Sequence, residues 1–307
     1  MKYYIGNTDF DWYNYLKKIS PEDINFWQPS GLVHFRAIDK GSPFLLKLKS
    51  PINKIAGIGF FTSHSLLPIE FAWEVFQNRN GTQQFADFYS KIKSYRNSAN
   101  PIEKNPNIGC IILTDPIFFN EQDWIKIPEN WSRNIVQGKT YDTENENDKV
   151  YWQIVEKLLL KYPSQSLEVT RDQIPIYNKY MTNVRIGQGA FRVLVTDAYS
   201  RRCAISGEKT LPVLEAAHIK PYSTSGNNAT YNGMLLRSDL HKLFDSGYIT
   251  VTDKYLIEIS KKIKEEFENG RDYYKYHGQQ LVSLPSSKYD LPDRENLRWH
   301  NENCFKK

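Results

Sequence analysis

The sequence predicts an α+β chain of two domains, and three observations carry that reading. Strand-like runs dominate the first half, whereas short strand and helix segments alternate in the second. A polar, acid-rich stretch, "QGKTYDTENENDK" (137–149), has no hydrophobic periodicity and reads as a linker. The length of 307 residues allows two domains, each with its own core. The expected division is a first domain over 1–136, a linker over 137–149 and a second domain over 150–307.

In the first domain "PFLLKLKS" and "KIAGIGFFTSHS" are β-rich, and "GCIILTDPIFF" is a third strand expected to end at Asp115-Pro116. Between them "IEFAWEVF" and "TQQFADFYSKIKSYR" have helical spacing. A small, partly closed sheet decorated by helices fits this order better than a doubly wound parallel sheet. After the linker, "VYWQIVEKLLLKY" places Val150, Ile154, Val155, Leu158 and Leu159 on a helical stripe stopped by Pro163. "GAFRVLVTDAYSRR" reads as a helix, and "CAISGEKTLPVLEAAHI" as two short strands joined by "SGEKT". "SDLHKLFDSG" reads as a short helix with Ser238 at its N-cap and Gly247 just past its end. "YITVTDKYLIEIS" is a hairpin turned at Asp253-Lys254, and "KKIKEEFENG" a charged helix. The expected order around the histidines is strand, strand, loop, helix.

Composition narrows the function classes. Cys110, Cys203 and Cys304 stand singly, which argues against a disulfide framework or a four-cysteine zinc site and suits a reducing cytoplasm. No apolar run has the length of a membrane span, and the first residues lack a signal-peptide core, so no membrane partner is expected. The formal charge is +5, and it is unevenly placed. Residues 1–150 hold 17 basic and 17 acidic side chains, residues 151–307 hold 23 and 18, so the excess lies in the second half, as a polyanion partner would favour. With 7 Trp, 20 Tyr and 16 Phe, rings are also available for stacking on bases.

Two of the six histidines, His218 and His241, flank Asn232. His241 and Asp245 are four apart on one helix face, with Leu240, Leu243 and Phe244 turned toward a core. Imidazole and carboxylate together suit magnesium, manganese or zinc. His218 ends the apolar run "VLEAAHI", after which the chain opens into the polar "STSGNNATYN". A neutral imidazole there can take a proton from water for attack on a phosphodiester, and a metal on the helix face would stabilise the leaving oxygen. Asn232 can hydrogen-bond the backbone around His218 and hold the ring in position.

The text "RRCAISG…EAAHIKPY…NGMLLRSDLHKLFDSG", with His218, Asn232 and His241 fourteen and then nine residues apart, resembles the ββα-metal HNH nuclease motif of bacterial restriction endonucleases. The resemblance covers roughly 185–259. It implies a DNA endonuclease with His218 as general base, Asn232 as the loop-orienting residue and His241 as ligand of a divalent metal. That metal would be magnesium or manganese, with zinc or nickel as the other options. Asp245 sits where some HNH enzymes have a further ligand. Many HNH sites place a ligand directly before the base, and here that residue is Ala217; Glu215 is the nearest substitute. The cysteines of the HNH zinc knuckle are absent as well. Upstream, "VRIGQGAFRVLVTDAY" is similar to the segment preceding this nuclease core, and Arg185, Gln188 and Arg192 surround a glycine-flanked helix start fit for a DNA phosphate. Lys220, with Arg201, Arg202, Arg237 and Lys242, would extend that face without reading sequence.

In the first domain the order "FWQPSG…FRAIDKGSPFLLKLKSPINKIAGIGFFTSHSLLPIEFAWEVF" resembles PUA-like modules of the EVE type, small β-barrels that take a flipped, modified base into an aromatic pocket. Trp27, Phe61 and Trp73 are candidate walls, with Ser30 or Ser63 as edge hydrogen-bonding groups. The two resemblances together imply a modification-dependent restriction endonuclease acting on double-stranded DNA that carries 5-methyl- or 5-hydroxymethylcytosine. A homodimer is the simplest way for it to cut both strands. The alternatives are a conventional HNH restriction enzyme reading an unmodified sequence, or a DNA-binding sensor whose nuclease core is impaired at Ala217.

Overall fold

The computed structural model describes residues 1–96, 104–162, 186–225 and 228–307. The chain divides into two compact units, Met1–Ala190 and Phe191–Lys307, the second beginning inside a helix.

The first unit is built on seven strands. These are β1 (Lys2–Thr8), β2 (Asp23–Gln28), β3 (Pro43–Leu48), β4 (Lys54–Pro68), β5 (Asn107–Phe118), β6 (Ile125–Lys126) and β7 (Gly138–Asp142). They form one sheet in the order β2-β5-β4-β3-β1-β7, with β6 added to β4; all pairs are antiparallel except β1 with β3. The helices are α1 (Phe10–Ile19), α2 (Ile69–Phe76), α3 (Phe85–Tyr95) and α4 (Glu146–Leu159).

Strand alternation divides the apolar side chains between two cores. Tyr3, Ile5 and Leu45 turn to one face with Trp152, Val155, Leu158 and Leu159 of α4. Tyr4, Phe44 and Leu46 turn to the other, with Trp12, Tyr13 and Leu16 of α1. Both faces of β3 are therefore covered, which explains its unbroken apolar run "PFLLKL" and the burial of all six positions. The sheet also curls. A Cβ on Gly6 of β1 would lie 3.1 Å from the Phe26 ring of β2, although four ladder steps separate these strands. Among the described strands the two ends do not join in a ladder, so the small β-barrel expected here is a curled, open mixed sheet.

The segment expected as a linker has regular structure. Residues Gly138–Asp142 pair with β1 as edge strand β7, and α4 starts at Glu146, capped by Asn145 through the N–H groups of Asn147 and Asp148. Only Tyr141 of β7 is buried, so the strand shows no alternation to read. On α4 the buried face includes Trp152 and leaves Val150 and Ile154 exposed, a rotation of the expected stripe. Burying such side chains contributes about 1.5–3 kcal/mol each, enough to dock a helix whose first turn is wholly polar. Strand β5 runs on past Asp115-Pro116, with Asp115 at φ 46° taking up the irregularity.

In the second unit the order is α5 (Gln188–Ala198, shared with the first unit), β8 (Leu214–His218), β9 (Gly233–Arg237) and α6 (Ser238–Asp245). The hairpin β10 (Ile249–Val251) and β11 (Ile257–Ile259), α7 (Lys262–Phe267) and α8 (Arg294–Asn303) follow. Strands β8 and β9 are antiparallel, so the local order is strand, loop, strand, helix. The first strand expected from "CAISG" is instead a turn. Gly207, at φ 74°, donates to the Cys203 carbonyl, and Cys203 Sγ accepts from the N–H groups of Ser206 and Arg237. These contacts hold the turn against β9. Ser238 is the first helical residue of α6 and Arg237 occupies the cap. No helix among the described residues is long and apolar enough to cross a membrane.

Candidate active site

Strand β8 delivers His218 to the rim of the second unit. Its ring stacks on Phe191 of α5, with centroids 4.1 Å apart and planes 8° from parallel. Close approach of α5 requires glycine at position 233, where a Cβ would fall 2.5 Å from Val195 and 2.9 Å from the Phe191 ring. His218 Nε2 lies 2.9 Å from Asn228 Oδ1. An amide oxygen only accepts, so this contact places the proton on Nε2 and leaves Nδ1 as the basic nitrogen. Burial lowers the pKa of the ring, helped by the neighbouring His241 and opposed by Asn228 and Asp245. His218 is thus neutral at pH 7 and able to accept a proton.

Asn232 is fully buried at the end of the loop. Its Oδ1 accepts from the Lys220 N–H at 3.0 Å and its Nδ2 donates to the Lys220 carbonyl at 2.9 Å. Its own carbonyl accepts from the Ile219 N–H, and Asn296 Nδ2 donates to Oδ1 at 3.0 Å. Asn232, expected from sequence to orient the loop, thus contacts the backbone of the two residues that follow His218.

His241 lies between two carboxylates. Nδ1 meets Glu215 Oε2 at 2.6 Å, and Nε2 meets Asp245 Oδ2, one turn along α6, at 3.2 Å. Burial alone would lower the pKa of this ring, but the hydrogen bonds to Asp245 and Glu215 outweigh it and raise the value. The donor chemistry fits a divalent cation: the Nε2 lone pair and the Asp245 carboxylate can hold it while Glu215 fixes the ring from Nδ1. Among the described residues no three His, Cys, Asp or Glu side chains converge as a metal cage. Water and a DNA phosphate would complete such a shell. Ala217 is fully buried, and Glu215, two residues earlier, makes the contact with His241.

The expected phosphate-binding residues are placed unevenly. Arg185 lies outside the described residues. Gln188 is exposed at the start of α5 and Arg192 is half-buried along it. Lys220 extends its Nζ over the Trp299 ring, 5.4 Å from the centroid. Lys242 is exposed on α6, whereas Arg237 is engaged by Asp239 at 2.6 Å. Phe191, Asn228 and Asn296 escaped sequence reasoning; Phe191 and Asn296 reach the site from outside the His–Asn–His span, and Asn228 is one of several polar residues in the loop.

The first unit holds a cavity of about 960 Å³. Tyr4, Trp12, Phe26 and Trp27 contribute rings to it, and Asn7, Gln28, Ser30, Asn107 and Gln137 polar groups. Asp9, Lys49 and Tyr95 form a triad at its edge, with Lys49 Nζ 2.6 Å from Asp9 Oδ1 and 3.0 Å from Tyr95 Oη. Two expected wall residues are elsewhere. Phe61 is buried in the core against Phe35, and Trp73 packs on Phe85 and Phe88. Ser63 is buried as well. The aromatic spacing in β4 and α2 serves packing, while Trp27 and Ser30 line the cavity.

Residues 203–252 match the model of a family described as HNH endonuclease. The second unit carries an HNH endonuclease domain. The match spans β8, the loop, β9 and α6, and so takes in His218, Asn232, His241 and Asp245. HNH nucleases generally use a divalent metal, in keeping with the donors at His241. No curated protein matches the chain. Among solved structures, an ASCH protein from Zymomonas mobilis is similar at a TM-score of 0.35 and 9% identity, over 48% of this chain and 94% of that one. A mutant of the same Zymomonas mobilis protein is similar at 0.34 and 9%, over 50% and 97%. A structure titled modification dependent TagI restriction endonuclease is similar at 0.27 and 12%, over 92% of this chain and 75% of that one.

Proposed function

We propose that this chain is a modification-dependent restriction endonuclease. The first unit reads a modified cytosine, 5-methyl or 5-hydroxymethyl, turned out of double-stranded DNA into the aromatic cavity. The HNH domain then hydrolyses a phosphodiester bond. His218 Nδ1 takes the proton of the attacking water, and Asn232 holds the loop that aims it. His241 and Asp245 hold the divalent metal, magnesium or manganese, which supplies charge stabilisation at the scissile phosphate. Gln188, Arg192 and Lys220 contact the DNA backbone, as does Arg185. The reading rests chiefly on the neutral, clamped His218 beside the His241 carboxylate pair. The ring-lined cavity supports a reader in the other unit. A homodimer on DNA is the simplest arrangement for cutting both strands.

Cleavage of matched DNAs carrying cytosine, 5-methylcytosine or 5-hydroxymethylcytosine, with magnesium or manganese, tests the proposal. The expected result is cutting of one or both modified DNAs and not of the unmodified one. Equal cutting of all three would retain the nuclease and remove the modified-base reader.

A further inference from the structure

Two aliphatic side chains at the cavity mouth are exposed on, or directly after, backbone that is firmly held. Leu32 is 88% exposed and Val136 is 82% exposed, yet both line the cavity. Single exposed apolar residues are ordinary on protein surfaces. What distinguishes these is their support. On the Leu32 side, Gly31 packs so tightly on Asn107 that a Cβ would lie 2.3 Å from its carbonyl oxygen. The Gly109 N–H donates to the Ser30 carbonyl at 3.2 Å, and Arg96 Nε donates to the Pro29 carbonyl at 2.8 Å. On the Val136 side, Asn7 Nδ2 donates to the carbonyls of Ile135 and Val136 at 2.8 and 2.9 Å, and the Asn7 N–H donates to the Gln137 carbonyl. Gln28 Nε2 reaches Gln137 Oε1 at 3.4 Å and ties the two stems together.

We propose that Leu32 and Val136 are wedges that enter a DNA duplex and fill the gap left when a nucleotide turns out into the cavity. This rests on the base-reading function proposed above. An extruded base leaves the faces of its two stacking neighbours open to water. Apolar side chains inserted between base steps cover such faces. On pinned backbone they do so with little ordering cost at the moment of binding. The cavity is large enough for one nucleotide-sized ligand. Its charged lining, Lys49 and Arg96 against Asp9, carries an excess of one cation, which suits the flanking phosphates.

The test is the affinity of the full chain, in a chelator so that nothing is cut, for three probes. These are a short duplex with one 5-methylcytosine, its unmethylated counterpart, and the methylated strand alone. The double variant Leu32→Ala/Val136→Ala is expected to lose about tenfold or more on the methylated duplex. On the single strand, which has no duplex gap to fill, it should change less than about threefold. That strand also serves as the folding control. Equal loss on duplex and strand, or no loss on the duplex, overturns the wedges. Indifference of the wild-type chain to methylation in the duplex instead sinks the base-reading function itself, and it is read without any variant.

Discussion

The side-chain amide of Asn232 pairs with both backbone polar groups of Lys220, accepting from its N–H at 3.0 Å and donating to its carbonyl at 2.9 Å. The pairing imitates one rung of a β-ladder at the point where β8 gives way to the loop. It holds the backbone two residues beyond His218, the proposed general base, by an amide contributed from the far end of the loop. Asn232→Asp keeps the acceptor and loses the donor, setting a carboxylate against the Lys220 carbonyl. An unsatisfied buried group of this kind costs about 1–3 kcal/mol. The expected outcome is a lowered thermal midpoint by calorimetry together with at least about tenfold slower cleavage. Cleavage at the wild-type rate would show that the loop needs no clamp.

Glu215 touches Nδ1 of His241 while Nε2 faces Asp245. Removing the charge with Glu215→Gln should weaken metal binding by about 10–100-fold through loss of the orienting carboxylate. Titration of manganese by calorimetry, with cleavage followed against metal concentration, measures this. The rate at saturating metal should be largely restored, because Glu215 holds the ring and does not itself meet the phosphate. An unchanged manganese affinity would remove Glu215 from the site.

The His218 pKa is lowered by burial, so the base is neutral throughout the neutral range. Protonation abolishes its function, hence cleavage should be flat from about pH 7 upward and fall only below the ordinary imidazole value of about 6.5. Asn228→Ala removes the contact that fixes the proton on Nε2. The rate at about pH 7.5 should then fall, as both tautomers become populated. A pH–rate profile under single-turnover conditions at saturating metal, where the raised pKa of His241 no longer limits metal binding, checks both statements; a limb above about pH 7 would then point to another base.

His300 is buried, stacked on Phe244, with its pKa pushed down to about 4 by burial. Its Nδ1 is 2.9 Å from the Thr250 hydroxyl and its Nε2 3.2 Å from the Phe244 carbonyl, an arrangement for a neutral ring. The unfolded chain takes up this proton near pH 6.5, well before the folded one does. Stability is therefore full above that value and declines as the pH falls from about 6.5 toward 4. The urea midpoint of the second unit should drop across that window, and His300→Gln should flatten part of the slope.

Trp27 lines the cavity and donates its indole N–H to the Asn80 carbonyl. A stacked base is worth about 1–3 kcal/mol, so Trp27→Ala should reduce the preference for methylated DNA by about tenfold or more. Manganese affinity at the second unit and the thermal midpoint should stay as they were. A fall in the thermal midpoint that accompanies the lost preference would assign Trp27 to stability alone.

The HNH region was legible because His218, Asn232 and His241, the proposed nuclease residues, share a short stretch whose spacing is set by one strand, one loop and one helix. Their partners were not. Phe191 precedes His218 by 27 residues, and Asn296 follows Asn232 by 64, so only the folded chain brings them together. Strands β1 and β2 and helix α1 escaped sequence reading altogether. Edge strand β7 reads as linker because four of its five residues are at least partly exposed and polar or glycine. The rings of Phe61 and Trp73 carry the same composition signal as Trp27, and composition does not separate a core ring from a cavity ring.

The most direct test of the account is His218→Ala offered methylated DNA. The predicted result is a protein that still binds methylated duplex in preference to unmethylated, yet leaves it uncut with magnesium or manganese over times in which the wild type cuts to completion. Cutting by the variant at the wild-type rate, or binding without regard to methylation, would contradict the account.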